Sequence, residues 1–149
     1  MKKYFSLLLF AAISLTSFAQ QKESDEKKSE KSAAIPKLVK DAFAKSHPGV
    51  TAKWEKEDGE FEASFKEAGK EMSLIYDAQG NLKETEVEIK LTELPTEAVN
   101  YLKTHYKNQT AKAAAKITKS NGEVNYEAEL KGKDVMFDAT GKYIKEIKD

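Results

Sequence analysis

The sequence predicts an α+β fold built from two tandem α-β4 units, whose strands join into one antiparallel sheet of about eight strands with both helices on one face. Three observations predict it. Segments opening at Ile35-Pro36 and Leu94-Pro95 repeat the same order: helix, Trp54 or Ile117, hairpin, "FEASF" or "YEAEL", then "LIYDAQG" or "VMFDATG". After each helix the apolar period changes from 3.6 to 2. Turn residues stand where strands must reverse, at Asp58-Gly59, Ala68-Gly69, Asn121-Gly122 and Gly132-Lys133.

Residues 1–19 read as a signal peptide: Lys2 and Lys3, an apolar run from Leu7 to Leu15, and a small-x-small cleavage site at Ser17-Phe18-Ala19. That run is shorter than the ~20 residues a membrane span needs, and no second one follows. The expectation is a periplasmic or secreted protein without membrane insertion. The sequence has no cysteine, which excludes a lipidated anchor, a disulfide framework and a thiolate metal site. Residues 20–34, almost all charged or small, read as a disordered tether. The domain is expected at 35–149, with repeat one at 35–91 and repeat two at 92–149. Loss of the signal removes two of 25 basic residues and none of 25 acidic ones, for a net charge of −2. With no basic excess, nucleic acid is not expected as a partner.

Each unit starts with proline, tolerated where a helix begins because its missing N–H would be unpaired there. Ile35, Leu38, Val39, Ala42 and Phe43 form the first apolar stripe, closed by His47-Pro48-Gly49. Leu94, Ala98, Tyr101, Leu102 and His105 repeat it.

A two-residue turn at Asp58-Gly59 sets Lys56 opposite Phe61, Trp54 opposite Ala63 and Ala52 opposite Phe65. One face is then apolar, and the other carries Lys53, Glu55, Glu62, Ser64 and Lys66. The same construction at Asn121-Gly122 puts Ala113, Ala115, Ile117, Val124, Tyr126, Ala128 and Leu130 together, against Ala114, Lys116, Thr118, Asn125, Glu127 and Glu129. Third strands add Met72, Leu74, Tyr76, Val135 and Phe137 to the apolar face. Fourth strands begin after Gly80-Asn81 and Gly141. The segment from Ile89 to Glu93 is too short and too apolar for a free linker, so the two sheets are expected to join edge to edge.

This arrangement resembles the secreted PepSY-like, beta-lactamase-inhibitor-like proteins common in Bacteroidetes. The residues that carry the resemblance are Ile35-Pro36, Leu94-Pro95, Phe43, His47-Pro48, Trp54, "FEASF", "YEAEL", "YDAQG" and "FDATG". It implies a fold like that of the beta-lactamase inhibitory protein, with a concave sheet face that grips another protein. No inhibitory residue carries over. Related modules in protease propeptides keep protease inhibition and peptide binding in view.

Catalytic constellations are not recognisable: there is no G-x-S-x-G, no phosphate-cradling glycine loop, and no partner at i+3 or i+4 for His47 or His105. The expectation is a non-enzyme without cofactor or metal. "DAQGN" at Asp77 and "DATG" at Asp138 depart from a calcium loop and read as turns in which Asp accepts backbone N–H bonds. Trp54 shares a face with Phe61 and Phe65, which points to core packing rather than an interface anchor. Ile75 and Met136 are apolar exceptions at equivalent positions of the polar face. If strand four runs without a bulge, Val87 and Ile89 join them; a bulge returns both to the core.

The candidate partner-binding residues are Ile75, Met136, Glu62, Ser64, Asn125, Glu127, Lys53 and Lys116. The expected function is a non-enzymatic exported binding module that uses the helix-free sheet face to hold a protein or peptide. Two alternatives remain open: an inhibitor or chaperone-like regulator of an exported protease or lactamase, and an envelope structural or metal-buffering protein.

Overall fold

Pro36 and Pro95, both extended with ψ near 145° and 142°, each stand immediately before a ten-residue helix. The computed structural model describes residues 35–148, so the signal peptide and tether assigned to 1–34 lie outside the described residues. The order is α1 (Lys37–Ser46), β1 (Lys53–Glu57), β2 (Glu60–Glu67), β3 (Lys70–Tyr76), β4 (Leu82–Ile89), a 3-10 turn (Leu91–Glu93), α2 (Thr96–His105), β5 (Ala113–Lys119), β6 (Val124–Leu130), β7 (Lys133–Asp138) and β8 (Tyr143–Lys148). All eight strands lie in one antiparallel sheet in sequence order. The expected joint between the units is the β4–β5 pairing, from Glu84↔Lys119 to Ile89↔Ala114.

Each unit builds its own core between its helix and its half of the sheet. In the first, Val39 and Phe43 pack with Phe61, Ala63, Phe65, Leu74 and Tyr76. In the second, Leu94 and Ala98 pack with Ala114, Ala128, Leu130, Val135 and Phe137. Leu38, assigned to the buried stripe, is 60 % exposed instead. α1 buries the narrower stripe of Val39, Phe43 and part of Ala42, and the turn at Gly80 meets the Leu38 carbonyl rather than its side chain.

Trp54 lies at the edge of the first core, edge-on to Phe43 with ring centroids 5.4 Å apart. It is only half-buried, so its truncation sits below the usual range for a fully buried aromatic. Trp54→Ala should lower the unfolding free energy by about 2 kcal/mol. Urea denaturation checks this, and an unchanged midpoint would place Trp54 outside the core.

The first hairpin has the expected register, with Trp54↔Ala63 and Lys56↔Phe61. The second does not. Its loop holds three residues, Ser120 to Gly122: the Lys119 N–H donates to the Glu123 carbonyl at 2.9 Å, and Gly122 has φ +85°. Asn121 accepts the Glu123 N–H at 2.9 Å through its side chain, a role that a two-residue turn does not give it. One extra loop residue slides β5 by one and turns over all its side chains. Ala114 and Lys116 therefore oppose Ala128 and Tyr126 on the helix side, while Ala113, Ala115 and Ile117 oppose Glu129, Glu127 and Asn125 on the other.

Strand four does carry a bulge. Ile75 opposes Glu84 but Tyr76 opposes Leu82, leaving Lys83 as the extra residue. Val87 consequently opposes Met72 and lies on the helix side, as does Ile89 opposite Ala114. β8 repeats the device, since Met136 opposes Lys145 and Phe137 opposes Tyr143, with Ile144 extra.

Candidate functional site

The face without helices is set by alternation along each strand. Across the first unit, Glu55, Glu62, Ile75, Glu84 and Lys119 stand in one row. The next row runs Lys53, Ser64, Ser73, Glu86, Ile117 and Asn125. A third crosses the joint into the second unit as Glu88, Ala115, Glu127, Met136 and Lys145. Ile75 is thus set between Glu62 and Glu84, and Met136 between Glu127 and Lys145.

Neither helix contributes to this face, yet Ser73, Ala115, Ile117, Asn125, Glu127 and Met136 are buried and Asp134 is only 1 % exposed.

Of the candidate residues, Ile75, Met136, Glu62, Ser64, Asn125, Glu127 and Lys53 share this face. Lys116 does not: the slide of β5 places it opposite Val87 and Tyr126 on the helix side. The same slide adds Ala115 and Ile117, which the two-residue turn had sent to the core. Glu84, Glu86, Glu88 and Asp134 were also missed. Their signal was the "ETEVEI" alternation itself, which is consistent with Val87 and Ile89 on the helix side only if the three glutamates face the other way.

Electrostatically the face is uneven. Near its first edge, Lys53 pairs with Glu55 at 2.7 Å and Lys66 with Glu71 at 3.0 Å. Glu62 accepts hydrogen bonds from Ser64 Oγ, at 3.1 Å, and from Ser73 Oγ. At the centre, burial together with the charges of Glu62, Asp134 and Glu84 pushes the Glu86 carboxyl up to about 8. Among the described residues no group of three or more His, Asp or Glu side chains is arranged to hold a metal ion.

The features that looked chemical at the helix ends do structural work. His47 caps α1, stacks between Phe43 and Phe65, and sets Nδ1 3.2 Å from Glu67 Oε2, a partner twenty residues away that the i+3 and i+4 positions could not reveal. The corresponding cap of α2, Tyr106, donates to Glu146 Oε2 at 2.7 Å; this bond and Lys133 hold the Glu146 carboxyl below its ordinary range. His105 stacks on Tyr101 with ring centroids 3.9 Å apart. Asp77 accepts the N–H groups of Gln79 and Asn81, and Asp138 those of Thr140 and Lys142, so both are the turns the sequence indicated.

Among curated proteins no sequence matches this chain. A "putative periplasmic" protein of Bacteroides eggerthii superposes with a TM-score of 0.68 at 12 % identity, covering 77 % of this chain and 89 % of its own. A DUF2874 family protein of Bacteroides uniformis gives 0.66 at 16 % identity, with 76 % and 88 % covered. A BLIP-like protein of Bacteroides fragilis gives 0.56 at 24 % identity, with 77 % and 86 % covered. These are likenesses of fold. Among the described residues no helix is long and apolar enough to cross a membrane. Residues 17–84 and 76–145 each match the family described as "Putative beta-lactamase-inhibitor-like, PepSY-like", one match per repeat, and the chain belongs to that family.

Proposed function

We propose that this chain is a non-enzymatic binding module, exported through the segment at 1–19, that holds a protein or peptide against the open face of its sheet. The observation that carries the reading is the face itself: a surface that neither α1 nor α2 covers, with the half-buried Ile75 set between Glu62 and Glu84. Apolar side chains inside a polar surround are the anatomy of an interface core and rim rather than of a merely solvated surface.

The test is capture by crosslinking from the native envelope. Ile75→Lys combined with Ser64→Arg should abolish it, because both side chains are only half-buried and can be exchanged without emptying a core. Leu38→Lys, on the exposed side of α1, should leave it intact. Capture that survives the double change would move the site elsewhere. Inhibition of an exported hydrolase is a second reading, favoured by the inhibitor-like description of the family. Slowed turnover of a periplasmic protease or lactamase on adding the mature protein would separate inhibition from passive binding.

A further inference from the structure

β4 is the fourth of eight strands and borders the joint between the units, so its outward side chains occupy the middle of the open face. Those side chains are Glu84, Glu86 and Glu88, three carboxylates in alternating positions of one strand. Glu84 stands opposite Lys119, whereas the cross-strand neighbours of Glu86 are Ser73 and Ile117 and that of Glu88 is Ala115, none of them positively charged. Neither Glu86 nor Glu88 has a hydrogen bond or an ion pair with a described side chain. The charged groups that act on Glu86 are Glu62, Asp134 and Glu84, all acidic. The lysines of this face stand toward the ends of strands or near its edges, and three are taken by local pairs: Lys53 with Glu55, Lys66 with Glu71, and Lys119 with Glu123. A chain whose formal charge sums to zero has thus collected carboxyl groups in the middle of one surface, of which Glu86 keeps its proton at neutral pH.

Like charges drawn together on a half-dry surface destabilise the free protein and are relieved by an opposite charge. A metal ion does not fit, since the carboxylates do not converge. Nucleic acid and anionic lipid would be repelled. A simple amine would leave the half-buried Ile75 uncovered.

We propose that the open face takes a cationic polypeptide segment, a stretch in which lysine or arginine alternates with apolar side chains, its charges against Glu86 and Glu88 and its apolar groups against Ile75. This rests on the open face being the binding surface. It adds the chemistry of the partner, which the fold alone does not specify.

The experiment titrates the mature protein at pH about 9, above the value at which Glu86 releases its proton, with a short arginine–leucine peptide, using its serine–leucine and glutamate–leucine counterparts as controls. Backbone amide shifts locate each peptide and calorimetry measures its affinity. The arginine peptide should perturb β3, β4 and β5 and bind at least about tenfold more tightly than the serine peptide, an advantage that shrinks with added salt. Glu86→Gln with Glu88→Gln should remove most of that advantage while leaving the serine peptide's affinity unchanged, a separation that a general loss of folding cannot produce. Equal binding of arginine and serine peptides at this face would overturn the cationic preference and keep the face as a binding surface. Arginine-peptide shifts confined to the helix side, indifference of its binding to the Gln pair, or occupation of the face by a second copy in sedimentation would overturn the proposal itself.

Discussion

Gly141→Ala should lower the unfolding free energy of the protein by about 3 kcal/mol, equivalent to a drop of about 10 °C in Tm for a domain of this size. Two costs add. Gly141 has φ +92°, in the left-handed region, where a non-glycine residue costs about 1 to 2 kcal/mol. Its Cβ would also stand 2.7 Å from Pro95 Cβ and 2.8 Å from the Ala98 amide nitrogen, at the first turn of α2. Gly122 separates the two, because its φ of +85° is similar and nothing lies within 4 Å of its Cβ. Gly122→Ala should therefore cost only about 1 kcal/mol. Equal losses at the two positions in thermal melts would show that the turn does not press on the helix. Gly80, whose Cβ would stand 2.7 Å from the Leu38 carbonyl oxygen, is pressed against α1 in the first unit.

Glu86→Gln should stabilise the protein in alkaline solution and change little in mild acid. In the folded chain this carboxyl titrates near 8, against an ordinary value of 4.5, because of burial first and then Glu62, Asp134 and Glu84. A raised folded value means that the native state holds a proton the unfolded chain has released. The associated stability is fully present below about 4.5 and is lost as pH rises through about 8. Glutamine mimics the protonated form and removes the titration. The variant should gain about 2 kcal/mol over the parent at pH about 8.5 and nothing at pH about 5, the gain being limited because the neighbouring carboxylates share the proton. Urea unfolding at both pH values measures it, and a difference that does not grow with pH would sink the assignment. The depressed carboxyls of Asp77 and Asp138 act in the opposite sense, their contribution being lost as pH falls through their lowered values. The parent's stability maximum should consequently lie on the acid side of neutrality.

The duplicated architecture was legible because it rests on features with one physical reading. Proline can begin a helix but not continue one, a two-residue Asp-Gly turn fixes its register, and Phe61, Ala63 and Phe65 on β2 agree with Trp54 on β1 about which side is dry. β5 offered no such agreement. Ala113, Ala114 and Ala115 are small and apolar at both parities, and Ile117 points away from the face that is covered. The loop alone decided, and Asn121-Gly122 serves a three-residue loop as well as a two-residue one. The candidate site inherited that ambiguity: Ile75 and Met136 follow from the alternation of β3 and β7, whereas Ile117 and Ala115 required the turn geometry. The bulge at Lys83 is visible in sequence only as a conflict between the turn at Gly80-Asn81 and the glutamate alternation of β4.

The β4–β5 pairing joins the last strand of one unit to the first strand of the next, and that operation does not close on itself. Applied again, it would lay the β8 of one molecule against the β1 of another and extend the sheet without end, the geometry of a fibre rather than of a dimer. The two outer strands are poor templates for such growth. β1 is five residues long and reads Lys-Trp-Glu-Lys-Glu, while β8 is interrupted at Ile144 and carries lysine at both 145 and 148. Doubling the unit created a widened sheet face and, with it, a need for two ends that refuse a third copy.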